Sequence, residues 1–572
     1  MRDLMGSVGL LVLAAIGAIA LKAIQTVYYK AIRPQRYLKH LPKLKRAPID
    51  PARPLERYDR FLHDLQTHLA GNPGVPTTVA YPGRFLPPML ITSDRTALHD
   101  VCIARPDDFP KPGARGGNFL GGALKNGLIF VEGEQWHRQR KIMSPTFGPA
   151  QIKAMYSIFQ DKAFELRDVL LQKMSESSAT ASSSADIGAE LNMFEYTERM
   201  ALDSIASAGF GYETNALRGK KDDPLVLALT NIMAQTGDGT GKPRKTKRIG
   251  VVNRVSNVLL MSFRHFFPVQ GQGTPSSRAI DSIGSKLVQE KKEAILGAKT
   301  AAYGTKEIVD PRKVVGKDVL TTLVRSNMSE DMNHQQRMSD EEVRAQIVTF
   351  FLAGRATTST ALAWAIYSLS TNPNLQERLR AELLSIPTST PTFDELNSSL
   401  PFLDAVVRET LRAHSPIPGT MRMAGKDVVL PMENGGSLFV AKGTLIFVPI
   451  RNLNRDPRFW GPDADKFNPA RWLPESESAG AARLPLPEGA MEMPGLAMPA
   501  FLCGPRACIG FRFSVIEIKA ALFTLLRAMK FELAVSPDEI GAKSGALSKP
   551  ILIAKPEEGP QVPVRISLVE GD

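Results

Sequence analysis

The sequence predicts a mostly α-helical chain with a small β region and one membrane-spanning helix at its N-terminus. Three observations predict it. Apolar residues recur at three- and four-residue spacing through much of the chain between about residues 93 and 420. Short runs rich in β-branched and aromatic residues, broken by Pro and Gly, occupy 77–93 and 425–449. The run LMGSVGLLVLAAIGAIAL at residues 4–21 carries no charge, and roughly 20 apolar residues span a bilayer core.

Residues 1–29 are therefore expected to be an uncleaved anchor. Lys22 snorkels toward the interface, and Tyr28 and Tyr29 suit the headgroup region. A cleaved signal peptide carries its positive charge before the apolar run. Here the basic run follows it, which predicts that the C-terminal side is cytoplasmic. A basic, proline-punctuated linker covers 30–54, and the folded domain is expected over 55–572.

Within that domain TTVAYPGRFLPPMLITS (77–93) reads as a small hairpin. The stretch 150–175 has helical periodicity, and the Ser-rich 175–186 and the Gly/Lys-rich 236–248 read as loops. The second falls short of a phosphate-binding loop by one residue of spacing, and Pro243 stands where Ser or Thr is needed. Ser339-Asp-Glu-Glu342 is a capping box that opens a helix of about 30 residues, stopped at Asn372-Pro373. Its centre is apolar on nearly every face, so it runs through the middle of the domain, yet it contains the polar cluster AGRATTS (353–359). LFVAKGTLIFVP reads as strand, Lys-Gly turn and strand. After an irregular stretch over 450–500, FRFSVIEIKAALFTLLRAM reads as a helix.

The net charge is +13. Seven Lys or Arg and no acid lie between Lys30 and Arg46, and residues 1–29 add one net positive charge, which leaves +5 beyond residue 46. The excess is local and sits beside the apolar run, so it argues for a membrane surface and against nucleic acid. Three cysteines, Cys102, Cys503 and Cys508, with no CxxC pair, exclude a disulfide framework and a dithiol site. They fit a reduced, cytosol-facing compartment.

Two of the three lie in FLCGPRACIGFRFS (501–514). Cys508-Ile509-Gly510 precedes a helix start, where partial positive charge stabilises a thiolate and lowers its pKa. Gly504 and Gly510 let the backbone approach a flat ligand, and Arg506 adds a fixed positive charge. A thiolate beside a planar anionic cofactor is the arrangement haem needs.

Phe501, Gly504, Arg506, Cys508 and Gly510 together resemble the haem-binding signature F-x-x-G-x-R-x-C-x-G of the cytochrome P450 superfamily. The resemblance is to its membrane-anchored, microsomal, fungal-like type and covers about residues 55–572. It implies the mostly α haem-thiolate fold with a small β-sheet region, haem b as cofactor, Cys508 as axial ligand and Arg506 paired with a propionate. Cys503 falls on a variable position and reads as structural. Glu409 and Arg412 of ETLR, with Arg471 of FNPARW, imply a buried ion network near the haem. Trp136 and Arg140 of WHRQR imply further propionate contacts, as does Arg422 of PIPGTMR.

The resemblance further implies an oxidoreductase of secondary metabolism. It would insert one oxygen atom from O2 into a lipophilic substrate resembling a terpenoid, sterol or fatty acid. Electrons would come from NADPH through a separate flavoprotein reductase, and the chain would sit in the endoplasmic reticulum membrane with its catalytic domain cytosolic. Residues 108–126 and 225–270 are expected to shape the pocket. The central helix departs from the family pattern: Gly354 and Thr357 are present, but Ala356 stands where an acid is usual. Thr357 is expected to orient a water or donate a hydrogen bond, although a mid-helix threonine also commonly bonds the carbonyl one turn back. Water or the substrate's hydroxyl replaces the acid, or coupling is poor and peroxide leaks, or no dioxygen is activated and the chain is an isomerase, a dehydratase or a haem-binding module. The persistence of Thr357 favours the first.

Overall fold

A computed structural model describes residues 33–42, 77–81, 88–112, 126–180, 189–220, 223–235, 275–304, 318–328, 337–474 and 499–569, with a few isolated positions before residue 33. The expected anchor lies almost wholly outside these residues, as do the loop at 236–248 and most of both expected pocket-shaping stretches. Among the described residues no helix is long and apolar enough to cross a membrane.

The chain is mostly helical with small sheets. A short helix α1 (Arg33–Tyr37) leads into the hairpin β1 (Thr78–Tyr81) and β2 (Met89–Thr92). Helices α2 (Gly133–Met143) and α3 (Pro149–Thr180) follow, then β3 (Ala189–Asn192), α4 (Met193–Phe210), α5 (Pro224–Gln235) and α6 (Pro275–Gly304). The long helix α7 (Asp340–Ser370) precedes α8 (Pro373–Leu384) and α9 (Pro401–Ala413). Strands β4 (Thr420–Met423), β5 (Val428–Pro431), β6 (Ser437–Val440) and β7 (Leu445–Val448) come next. Helix α10 (Phe511–Ala528) and strands β8 (Met529–Leu533), β9 (Ile540–Ser544), β10 (Ser548–Leu552) and β11 (Pro563–Leu568) complete the order.

The capping box at Ser339 is formed: Ser339 Oγ accepts from Glu342 N–H, and Glu342 Oε2 accepts from Ser339 N–H at 2.8 Å. From there α7 runs 31 residues, packed against α4 along much of its length and against α9 and α10. Phe350, Phe351, Leu362 and Ile366 join the large core between these helices. The Ser-rich run after residue 175 does not end α3, which continues to Thr180. Ser and Thr penalise a helix by only about 0.5 kcal/mol each, and Ala not at all, too little to stop one already anchored by packing.

The hairpin at 77–93 forms as the sequence predicts, with Thr78 opposite Thr92. β2 then pairs in parallel with β7, and β7 antiparallel with β4, giving the sheet β1-β2-β7-β4. The strands on either side of the Lys442-Gly443 turn part company, because β6 pairs instead with β5. β3, β11 and β8 form a second sheet and β9–β10 a hairpin. A second, smaller core lies under the β1–β7 region and contains Leu38, Cys102 and Cys503.

Candidate functional site

The loop 501–510 closes on itself before α10. Cys508 N–H donates to the Phe501 carbonyl at 2.8 Å, and Ala507 N–H to the Gly504 carbonyl at 3.0 Å. Leu502 and Gly504 both have left-handed backbones, φ 61° and 66°. For leucine this costs about 1–2 kcal/mol, strain that the packed loop holds. Gly504 is required a second time, since a Cβ there would strike the Cys102 carbonyl and lie 3.1 Å from Ile103 Cα. At this point the bare Cα of Gly504 is packed against the chain's own backbone. Gly510 caps α10 with open space beside it; the nearest atom to a Cβ would be Phe147 Cε1 at 3.9 Å.

Cys508 is exposed, in contrast to Cys102 and Cys503. The protein around it nevertheless desolvates the thiol and pushes its pKa up, against the opposing pull of the Gly510 N–H and the Arg140 charge. Desolvation is the largest of these effects, ahead of the Gly510 N–H and the Arg140 charge. Cys503 is buried in the second core beside Cys102. Its thiol donates toward Cys102, pulling Cys102 down and Cys503 up.

Four cations converge on this loop. Arg140 Nη1 donates to the Ala507 carbonyl at 2.9 Å. Arg506 stacks on the Trp136 ring, 3.7 Å from its centroid, and pairs with Glu132 at 2.5 Å and Asp107 at 3.5 Å. Its Nη1 is buried with no hydrogen-bond partner among the described residues. Arg422 is buried, and its hydrogen bonds among the described residues go only to Thr420 Oγ1 and the Met421 carbonyl. Lys111, which the sequence did not single out, lies 3.5 Å from Glu132. Desolvation lowers its pKa to about 8, the Glu132 charge resisting and the Arg506 and Arg422 charges assisting. Four cations against the carboxylates of Glu132 and Asp107 leave an excess of two positive charges. Buried cations demand anions, so the arrangement fits a ligand carrying two carboxylates.

Farther along the chain, Glu409 and Arg412 are fully buried and pair in a fork, Nε to Oε2 and Nη2 to Oε1 both at 2.8 Å. Arg471 Nε reaches Glu409 Oε1 at 3.1 Å, and Trp472 Nε1 donates to Oε2 at 3.0 Å. Arg412 also donates to the carbonyls of Asn454, Ala464 and Lys466. The three residues expected as a network thus meet, with their charges satisfied by backbone as well as by one another. Removing one partner of such a set costs about 3–5 kcal/mol.

On α7, Thr357 Oγ1 donates to the Ala353 carbonyl at 2.6 Å. The bond one turn back is the one formed, and it turns the hydroxyl onto its own helix. Gly354 lies hard against α4, since a Cβ there would be 2.9 Å from Ile205 Cγ1. Ala356 is buried, and Arg355 pairs with Glu198 of α4 at 3.1 Å. Besides Lys111, sequence reasoning missed Glu132, whose partner Arg506 lies hundreds of residues away and which belongs to no recognisable motif.

Comparison with known proteins agrees with this arrangement. A family model described as Cytochrome P450 matches residues 76–556. Cytochrome P450 monooxygenase 205 of Postia placenta is 37% identical over 503 residues, covering 86% of each chain. Cytochrome P450 monooxygenase claP of Ampulloclitocybe clavipes is 32% identical over 78% of this chain and 79% of its own. Ganoderic acid synthetase CYP5150L8 of Ganoderma lucidum is 30% identical over 78% and 80%.

Proposed function

The chain belongs to the cytochrome P450 family and is an oxidoreductase of it, and from that premise we propose that it is a haem b monooxygenase with Cys508 as the axial thiolate. Its substrate is lipophilic, of terpenoid, sterol or fatty-acid type. Its electrons come from NADPH through a separate flavoprotein reductase. It acts at the cytosolic face of the endoplasmic reticulum membrane, held by residues 1–29, in secondary metabolism.

One observation carries the haem assignment: an exposed thiol at the start of α10 stands beside an excess of two positive charges, among them the buried Arg422 and an Arg506 guanidinium with one buried, orphaned nitrogen. The two propionates of haem supply the missing anions, with Arg506, Arg422, Arg140 and Lys111 as their partners. Trp136 stacks on the Arg506 guanidinium and would hold it in place for them. The Gly510 N–H and the Arg140 charge favour the thiolate form of Cys508, and iron would complete the deprotonation. When bound, haem supplies the redox chemistry by which one oxygen atom of O2 enters the substrate and the other leaves as water. The protein's part is to hold the cofactor, exclude water and deliver protons to the α7 side.

The test is a purified protein freed of residues 1–29, titrated with fatty acids, sterols and terpenoids while the haem absorption band is followed. A ligand-induced shift names the substrate class. Cys508→Ser is expected to retain its fold and lose the thiolate-type carbon monoxide spectrum; a thiolate spectrum that survives overturns the assignment. The reading as a non-oxygenating isomerase or dehydratase rests on Ala356, and NADPH-driven oxygen uptake matched to product excludes it.

A further inference from the structure

Two thiols meet where the loop 501–510 crosses the helical turn Asp100–Ala104. Gly504 makes the crossing close. A Cβ on it would strike the Cys102 carbonyl and lie 3.1 Å from Ile103 Cα, so the two backbones touch with no side chain between them. Cys503, the residue before Gly504, thereby reaches Cys102, and its thiol donates a hydrogen bond to the Cys102 sulfur. Both cysteines belong to the core under the β1–β7 region, with Leu98, Val101, Phe109 and Ile450. Neither is sealed from solvent, since Cys102 is 7% and Cys503 5% exposed.

Packing alone does not call for this pair. In an aliphatic core a free cysteine serves as a small hydrophobe, and a lone one fills space as well as two. Two neighbouring thiols add chemistry. A disulfide needs backbones that are already close, and a crossing closed by a bare glycine brings them so.

The two sulfurs are not equivalent. The hydrogen bond from Cys503 holds the Cys102 pKa below the ordinary thiol value, burial opposing and the Arg422 charge assisting. The same bond, with burial, pushes Cys503 up. Cys102 is therefore the sulfur nearer to a thiolate, the form that reacts with peroxide, and Cys503 stands beside it as a resolving thiol.

We propose that Cys102 and Cys503 are a peroxide-sensitive dithiol, which hydrogen peroxide converts to a reversible disulfide fastening the loop 501–510 to the turn 100–104. The Cys102 sulfur attacks one peroxide oxygen. An S–O bond forms, the O–O bond breaks, and the second oxygen leaves as hydroxide, which takes the Cys102 proton and becomes water. The Cys503 sulfur then attacks the sulfenic sulfur of Cys102. The S–S bond forms, the S–O bond breaks, and the departing hydroxide takes the Cys503 proton. Each sulfur is oxidised by one electron, and one peroxide is reduced to two waters. A dithiol reductant reverses the bridge by exchange. Disulfides of this transient, sensing kind occur in reducing compartments, where structural ones do not persist. The site stands independently of the monooxygenase reading; turnover that leaks peroxide would add a source of oxidant close at hand.

The experiment treats the full-length holoprotein in detergent with millimolar hydrogen peroxide at neutral pH, then unfolds it in the presence of an alkylating agent. An unfolded chain closed by this bridge contains a loop of about 400 residues and migrates faster on a non-reducing gel. One faster band is expected in wild type, reversed by dithiothreitol and absent from Cys102→Ser and Cys503→Ser. Mass spectrometry of a proteolytic digest is expected to show a peptide pair joining Cys102 to Cys503, lighter than the two reduced peptides by two hydrogens. Where a variant fails to fold, the wild-type peptide map decides alone. Recovery of both cysteines as alkylated peptides after peroxide overturns the proposal. So does a bridge that engages Cys508, or Cys102 carried on to sulfinic or sulfonic acid with Cys503 still reduced, since Cys503 would then not be its resolving partner.

Discussion

A carboxyl that keeps its proton through burial, that of Glu517 on α10, marks the stability of the fold. Unfolded Glu517 titrates near its ordinary value of 4.5, folded Glu517 near 8. Below about pH 4.5 both states are protonated and the group is neutral to stability. Between these values the unfolded state releases its proton and the folded state does not, so stability falls as pH rises, and above about 8 the loss is complete. The gap between the two values corresponds to about 5 kcal/mol as an upper figure. Glu517→Gln has no proton to release. Its unfolding free energy, measured in urea from pH 5 to 9, is expected to lack this slope and to exceed that of wild type at pH 8.5. Parallel curves for the two proteins would show that Glu517 is not the group that burial holds protonated.

At the scale of elements, one tight point in the packing of α4 on α7 is Ile205 against Gly354. Alanine at 354 would bring its Cβ within 2.9 Å of Ile205 Cγ1, an overpacking that costs about 1–3 kcal/mol. Alanine also gains about 1 kcal/mol over glycine inside a helix. Gly354→Ala is therefore expected to destabilise wild type in urea unfolding but to stabilise an Ile205→Ala background, where Cγ1 and Cδ1 are gone. Equal effects in the two backgrounds would place the constraint elsewhere than in this contact. The sequence shows why such a pair escapes reading. Ser339 and Glu342 are three residues apart, and their capping box is plain, as are the Asn372-Pro373 stop and the Glu409–Arg412 spacing. The partner of Gly354 lies about 150 residues earlier, on a helix whose own pattern says only that it is buried. Still longer stretches of chain separate Arg506 from Glu132, and β3 from β11. Local chemistry is legible over three to ten residues; which distant groups complete it depends on packing that no local spacing encodes. Thr357 shows the limit within a single turn, since its spacing allows both roles and only the fold chooses the bond to Ala353.

At the scale of the whole molecule, the stretch after the apolar N-terminal run is fastened to the folded body. Leu38 is 2% exposed and belongs to the core under the β1–β7 region. Tyr37 meets Phe439 of β6 at 4.6 Å between ring centroids. The Pro42 carbonyl accepts from Ala80 N–H of β1 at 2.9 Å. Arg33 pairs with Asp427 at 2.7 Å, an exposed contact that adds little. Burial of Leu38 contributes roughly 1.5–3 kcal/mol more. In the proposed membrane-bound arrangement, residues 30–32 alone separate the anchor from this docked segment, which holds the β1–β7 region close to the bilayer. Two truncations separate anchoring from folding. Removal of residues 1–29 is expected to leave the urea midpoint of the holoprotein unchanged. Removal of 1–42 is expected to lower it by an amount equivalent to about 2–4 kcal/mol, because the seat of Leu38 is emptied and the edge of β1 loses its carbonyl partner. Identical midpoints for the two truncations would show that residues 33–42 lie against the β region without stabilising it.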